Sequence, residues 1–340
     1  MSILLHHHEV TLNMTDLHYN CVAHWSSGPV RLLCMDMMWE QIRRGAREIM
    51  ERYPDSRVLG ICFPVPLGYT TEKRLSAATP FPAWPRSDFG RSLTEPLQEI
   101  FPDARDIIIT SDGKAAGSAL LHWDFSRYGQ GEVATFYCST GIGGALFRDG
   151  QPTTGTKSLV GALGHIIVEP DDPEPCPCGG HGCLERMVSS GRMRERLAAQ
   201  EEEYRKSCLK EIPVAEMTFE KLFEGSAKGD VLCRRESRYY AQIFSIAIRG
   251  LIVSVAPEYV VFQGNFGKAD EVFRRELLNK VFEFKYMDRQ EKIEFVYDDR
   301  DLSMEETVGA TYQMINNFLC FPEKYVWKQE NVGRALTLPE

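Results

Sequence analysis

The sequence has no apolar run of about 18 residues, so it predicts no membrane-spanning helix. It also has no basic amino-terminal segment followed by a long apolar stretch, and a secretory signal peptide is therefore not expected. Positive charge is not in excess either. The formal net charge of −9 argues against a broad nucleic-acid-binding face, so these residues are expected to make no direct contact with nucleic acid.

Cysteines are present, but they do not have the arrangement of a disulfide-rich secreted scaffold. The chain has 10 cysteines in 340 residues, and those outside one cluster are scattered without a pairing pattern. This distribution favours a reducing, cytoplasmic location. The scattered cysteines are Cys21, Cys34, Cys62, Cys138, Cys208, Cys233 and Cys320. The length leaves room for two domains with a sizeable core.

Strand-like and helix-like segments alternate along the chain. Short apolar runs at residues 58–63 and 107–109 are each bounded by turn or helix signals. This order predicts an α/β fold with a mixed sheet. We expect an amino-terminal α/β domain over residues 1–122, a second α/β domain over residues 123–303, and a tail over residues 321–340.

The densest chemical motif is a cysteine cluster with an upstream histidine. Cys176, Cys178 and Cys183 lie within eight residues among glycines, and His165 precedes the first of them by eleven positions. Cys₃His is a standard closed ligand set for Zn²⁺, and four protein ligands leave no open position, so a structural zinc ion is predicted. A redox pair in Cys-x-Cys is the alternative, but it explains neither the third cysteine nor the histidine.

Two further features have both a catalytic and an ordinary interpretation. The glycine-rich segment Ser139–Ala145 follows a predicted strand, and its backbone N–H groups could cradle a phosphate. A plain β-hairpin turn uses the same residues. Asp112 follows an apolar strand and precedes a helix, a place where ligands bind in α/β domains. A helix N-cap is the alternative role for Asp112.

Taken together and in this order, these motifs resemble the ROK family of repressors, open reading frames and sugar kinases. The resemblance covers most of residues 10–320, and the cysteine motif is its most specific part. It implies a two-domain, actin-like sugar-kinase fold with an interdomain cleft, in which a helix at about residues 304–320 packs back on the first domain. It also implies a small-molecule sugar as ligand and a homodimer or homotetramer.

The resemblance implies a role for each motif residue. Asp112 matches the family's catalytic base, and it contacts the sugar together with His165 and Glu185. The residues that match the second phosphate-binding loop are Thr140, Gly141, Gly143 and Gly144. The metal ligands implied are His165, Cys176, Cys178 and Cys183. The metal would then hold the loop that directs His165 and Glu185 at the sugar.

The chain departs from the family's kinases at several positions. The first phosphate-binding hairpin, Asp-x-Gly-Gly-Thr in those kinases, is expected here at residues 13–17 or 16–20, and neither segment contains a glycine. Side chains there would obstruct phosphate approach to the backbone. Other family residues are replaced at Val65, Pro80, Ser111, Ala162 and Gln263. Phosphoryl transfer depends on positioning and charge stabilisation, so these losses weaken a kinase interpretation.

Two functions therefore remain as predictions. The first is a sugar-sensing protein with a degenerate kinase site, the effector-binding and oligomerisation body of a transcriptional regulator without its DNA-binding domain. In that interpretation residues 2–10 are the remnant of a linker. The alternative is an ATP-dependent hexose kinase that uses Asp112 as base and requires ATP and Mg²⁺.

Overall fold

The computed structural model describes residues 1–6, 9–30, 34–65, 89–139, 141–154, 160–283 and 293–325. The amino-terminal elements are β1 (Ser2–His6), β2 (Glu9–Thr15), β3 (Cys21–Ser26), α1 (Met35–Arg52), β4 (Gly60–Val65), α2 (Phe89–Ile100), β5 (Asp106–Ser111) and α3 (Asp112–Trp123). The remaining elements are α4 (Phe125–Tyr128), β6 (Glu132–Cys138), β7 (Ile142–Arg148), β8 (Gln151–Pro152), α5 (Leu184–Met187), α6 (Ser190–Ala199), α7 (Glu201–Lys206), α8 (Phe219–Ala227), α9 (Val231–Val255), β9 (Tyr259–Gly264), α10 (Glu271–Phe282), β10 (Glu294–Asp298) and α11 (Leu302–Cys320).

The described strands form two five-stranded sheets with the same topology. The orders are β3-β2-β1-β4-β5 and β8-β7-β6-β9-β10. In each sheet, the first strand in the chain pairs antiparallel with the second and parallel with the fourth. β1 therefore corresponds to β6, and the β1–β2 turn corresponds to the β6–β7 turn. The two sheets therefore repeat each other in strand order and direction, and no matching repeat is evident in the sequence.

The expectation that residues 2–10 form a linker outside the fold is wrong. β1 is the central strand of the first sheet, and both Ile3 and Leu4 are fully buried in it. Residues 9 and 10 begin β2, which pairs with β1 from Ser2 to His6. Because the apolar run is only three residues long and three histidines follow it, the sequence gives a weak strand signal.

The helices follow the periodicity of their apolar residues. α1 buries Trp39, Ile42, Ala46 and Ile49, which are spaced three or four residues apart on one face. The apolar stripe of Ile243, Ala247 and Leu251 predicts a helix over about residues 237–255. The observed helix α9 begins earlier, at Val231, because Asp230 caps it and its first turns carry charged side chains. No helix among the described residues is long and apolar enough to span a bilayer.

α3 and α11 are the helices that follow the last strand of each sheet, and they pack against each other. α11 also contacts β1 and β4, whereas α3 also contacts β6 and β7. The chain after α11 continues as a 3₁₀ turn, and Tyr325 is 4% exposed with its ring against Phe318. Residues 321–325, predicted as part of a tail, thus belong to the fold. The domain limits at residues 122 and 303 stay a prediction.

Candidate functional site

Asp112 is the first residue of α3, directly after the carboxyl end of β5. Its Oδ1 atom accepts the backbone N–H of Gly113 at 2.7 Å. A Cβ placed on Gly143 would lie 3.7 Å from the same oxygen, so the carboxylate faces β7. Burial, and to a smaller extent the negative charge of Glu185, raise the pKa of Asp112 to about 6. A carboxylate with a pKa near the working pH is suited to proton transfer.

Asp112 does not cap its helix. The N-cap of α3 is Ser111, whose Oγ accepts the backbone N–H of Lys114 at 3.2 Å. The ordinary interpretation of Asp112 as an N-cap is therefore wrong, because the residue before it already performs that role. The carboxylate remains available to a ligand.

The turn between β6 and β7 lies against Glu185 at the start of α5. The backbone N–H of Ile142 donates to Glu185 Oε2 at 3.3 Å. A Cβ on Gly141 would lie 3.0 Å from the Glu185 carboxylate, so glycine allows this close approach. Gly143 and Gly144 lie within β7, paired with β6, and the turn itself comprises residues 139–141. Thr140 lies outside the described residues.

The structure brings the predicted cluster of one histidine and three cysteines together. One ligand atom from each of the four side chains lies within 4.8 Å of all the others. His165 Nδ1 is 3.8 Å from Cys176 Sγ, and Cys178 Sγ is 3.6 Å from Cys183 Sγ. Three sulfurs and an imidazole nitrogen at this spacing fit a single metal ion.

The loop that carries these ligands is folded by its own backbone. Cys176 and Gly180 are joined by a hydrogen bond from the Cys176 N–H, and residue 183 forms an isolated bridge with Ile167. Gly179 and Gly182 have φ values of +91° and +64°, which L side chains rarely adopt. Cys183 is then the N-cap residue of α5, so the same short segment places Glu185 two residues later.

A tyrosine and a glutamate that the sequence did not single out complete this region. Tyr137 lies opposite Gly143 in the β6–β7 ladder, and its hydroxyl donates to Glu306 Oε1 at 2.5 Å. Burial, and then the charge of Asp112, raise the pKa of Glu306 to about 8. The signal available in the sequence was the pair Glu305–Glu306 inside an otherwise apolar helix.

The place predicted for the first phosphate-binding hairpin is wrong. Residues 13–17 and 16–20 lie at the end of β2 and in the β2–β3 turn, whereas the first hairpin joins β1 to β2. By the correspondence of the two sheets, the counterpart of the glycine turn at 139–141 is the segment between His6 and Glu9. Its sequence is His6-His7-His8-Glu9, so the absence of glycine holds at the corrected position.

Comparison with known proteins gives a family match over most of the chain. The profile of the ROK family matches residues 36–311. The chain is 27% identical over 199 residues to a glucokinase from Thermotoga maritima, an alignment that covers 54% of this chain and 62% of the relative. It is 28% identical over 132 residues to the N-acetylglucosamine repressor of Escherichia coli O6:H1, covering 39% of this chain and 32% of the repressor. The chain thus spans less than two thirds of these curated relatives.

Solved structures show the same architecture over nearly the whole chain. A ROK-family transcriptional regulator, described as a homologue of the E. coli MLC protein, has a TM-score of 0.78 at 19% identity and covers 95% of this chain and 80% of its own. A ROK hexokinase from Thermus thermophilus has a TM-score of 0.69 at 21% identity, with coverages of 93% and 98%. The fold is therefore the two-domain, actin-like fold of sugar kinases that the sequence predicted.

Proposed function

The chain belongs to the ROK family, and on that premise we propose that it is a sugar-sensing protein whose phosphoryl-transfer site has degenerated. Residues 1–340 are, in this proposal, the effector-binding and oligomerising body of a sugar-responsive transcriptional regulator in the cytoplasm. A small-molecule sugar binds beside Asp112, His165 and Glu185, and the protein associates as a homodimer or homotetramer. Relatives named as a repressor and a transcriptional regulator support this choice.

The observation that carries the proposal is the Tyr137–Glu306 pair. A kinase needs bare backbone and hydrogen-bond donors where the transferred phosphate lies. Here the Tyr137 ring lies 3.5 Å from the Cβ position of Gly143, and the nearly buried Glu306 supplies a carboxyl group on the same side. With a pKa of about 8, Glu306 adds a second carboxylate beside Asp112 only at alkaline pH, so at neutral pH it is the space taken by the Tyr137 ring and the Glu306 side chain that opposes an incoming phosphate.

The metal in this proposal is a structural Zn²⁺ ion held by His165 and the three cysteines of the 176–183 loop. Four protein ligands close the coordination sphere, so the ion stabilises the loop and takes no part in a reaction. If Nδ1 of His165 binds the ion, Nε2 remains available for a sugar hydroxyl. Because Glu185 follows Cys183 by two residues, the same ion fixes the start of α5 and the Glu185 carboxylate.

The second candidate function is an ATP-dependent hexose kinase, and the position of Asp112 favours it. Asp112 is released from capping, lies beside β7 and has a pKa of about 6. In this interpretation Asp112 takes the proton from a sugar hydroxyl as the hydroxyl attacks the γ-phosphate of ATP. Thr140, Gly141, Gly143 and Gly144 would approach the phosphates of the ATP–Mg²⁺ complex. The glucokinase relative supports this candidate.

One experiment separates the two functions. The purified chain is titrated with glucose and with N-acetylglucosamine, each with and without ATP–Mg²⁺, while thermal unfolding and ADP formation are measured. We expect one sugar to raise the unfolding temperature, ATP to add nothing, and no ADP to form. Sugar-stimulated ADP formation would overturn the sensor proposal in favour of the kinase. The absence of stabilisation by either sugar would contradict sugar binding of the kind proposed here.

A further inference from the structure

A second group of potential metal ligands lies where the turn after α7 meets the start of α9. It consists of Cys208, Asp230 and Cys233, named here the Cys208 group. One ligand atom from each of the three side chains lies within 4.8 Å of the other two. The ligand atoms of His165 and the 176–183 loop also lie within 4.8 Å of one another. The sequence gives no sign of this group, because 25 positions separate its two cysteines.

The carboxylate of Asp230 holds both cysteines in place through their backbones. Asp230 is the N-cap of α9, and its Oδ1 accepts the N–H of Cys233 at 3.0 Å. Its Oδ2 accepts the N–H of Cys208 at 2.8 Å. Each carboxylate oxygen has two lone pairs and uses only one in these bonds, so either oxygen can still bind a cation.

Gly225 provides the space that the two sulfurs occupy. A Cβ on Gly225 would lie 2.6 Å from Cys233 Sγ and 3.0 Å from Cys208 Sγ. Real Cβ atoms essentially never show contacts below 3.0 Å, so any larger residue at 225 would displace at least one sulfur. Both sulfurs therefore lie over this glycine, close to each other.

Two sulfurs and a carboxylate oxygen form a ligand set that suits a borderline-soft divalent ion such as Zn²⁺. Two thiolates, one carboxylate and a divalent ion sum to a charge of −1. The amino terminus of the 25-residue α9, next to Asp230 and Cys233, favours such a negative charge. Cys208 is exposed, so one side of the group is open to solvent.

We propose that Cys208, Asp230 and Cys233 form a second, three-ligand site for a Zn²⁺-like cation, open to water at its fourth position. The site joins the turn after α7 to α9 and is separate from the ligands of the 176–183 loop. A disulfide between the two cysteines is the competing arrangement. In that arrangement Asp230 only caps α9 and accepts backbone N–H groups, whereas a cation also uses the carboxylate oxygens that lie near the sulfurs.

The test is metal stoichiometry of the full chain, stripped with a chelator under reducing conditions and titrated with Co²⁺ or Zn²⁺ alone. We expect two equivalents for the wild type, with thiolate-to-cobalt charge-transfer absorption for both. Cys208→Ser is expected to lose one equivalent, and because Cys208 is exposed the variant keeps its fold. Asp230→Asn retains an N-cap side chain and is expected to weaken only the second equivalent. Cys320→Ser, an exposed cysteine on α11, is the control and retains two.

In this experiment the loss of metal from the 176–183 loop can be distinguished from the loss of metal from the Cys208 group. Cys178→Ser removes a ligand of the 176–183 loop, so it is expected to retain the equivalent bound by the Cys208 group. One equivalent in the wild type that survives Cys208→Ser would overturn the proposal while leaving the loop site intact. A Cys208–Cys233 disulfide found by peptide mapping of the protein as purified, before any reductant is added, would overturn it as well.

Discussion

The carboxylate of Glu185 lies against Gly141, where a Cβ added to the glycine would be only 3.0 Å from it. The N–H of the next residue, Ile142, donates to the same carboxylate. The turn after β6 and the start of α5 are thus fitted to each other at one point, although 44 positions separate them in the chain. This contact connects the glycine turn to the segment that follows the metal-ligand loop.

Gly141→Ala is expected to displace the Glu185 carboxylate, since the added Cβ would lie 3.0 Å from it. A displaced polar contact corresponds to about 1 kcal/mol, or about a five- to tenfold loss of sugar affinity. Calorimetric titration with the sugar that stabilises the wild type measures the loss. Gly250→Ala, on α9, is the control, because an added Cβ there has nothing within 4 Å. Equal affinities for both variants would exclude Glu185 from sugar binding.

Cys178→Ser is expected to release the ion held by the 176–183 loop and to lower the unfolding temperature, because metal binding is part of that segment's folding free energy. Elemental analysis and thermal unfolding measure the two effects. Cys21→Ser, at an exposed cysteine outside both ligand groups, is expected to change neither. An unchanged metal content in Cys178→Ser would refute its assignment as a ligand.

The buried Glu306 carboxyl is expected to make stability fall as pH rises. Below its ordinary pKa of 4.5 the group is protonated in both the folded and the unfolded chain. Between about 4.5 and about 8 the unfolded chain has lost the proton that the folded chain keeps, so unfolding becomes progressively easier. The limiting slope is about 1.4 kcal/mol per pH unit.

Urea denaturation of the wild type and of Glu306→Gln between about pH 4 and about pH 9 tests this expectation, because that range includes both 4.5 and about 8. The glutamine variant is expected to show a shallower decline and to be the more stable of the two at high pH. Glu211→Gln, at an exposed position, is the control and is expected to follow the wild type. Parallel pH profiles for all three proteins would show that Glu306 is ionised in the folded chain at neutral pH.

Asp112→Asn is expected to leave sugar-dependent stabilisation largely intact, since the amide oxygen can still accept the N–H of Gly113. Any sugar-stimulated ADP formation is expected to fall to background, because an amide cannot take up the hydroxyl proton. The sugar titration and the ADP assay are run side by side on both proteins. ADP formation that persists in the variant would remove Asp112 from the role of base.

The features that could be predicted from the sequence are those encoded by the spacing of residues close together in the chain. The cysteine spacing and the glycines identified the 176–183 loop as a candidate metal site, the apolar periodicity indicated α1, and the family resemblance placed most of α11. β1 was missed because a three-residue apolar run has too few positions to establish a period. The start of α9 was missed because its first turns are charged and its cap, Asp230, gives no periodic signal.

The features that the sequence did not reveal depend on contacts between segments that are far apart in the chain. Tyr137 and Glu306 meet only because α11 packs on α3, the helix that contacts β6, and no local pattern encodes that pairing. Cys208 and Cys233 likewise meet over Gly225 only in the folded chain. The misplaced first hairpin had the same cause: its position became evident from the matching order of the two sheets.

α3 is shared by both halves of the molecule, since it packs on α11 on one side and on β6 and β7 on the other. Asp112 is the first residue of α3, so a ligand held by this carboxylate binds at the end of the helix that contacts both sheets.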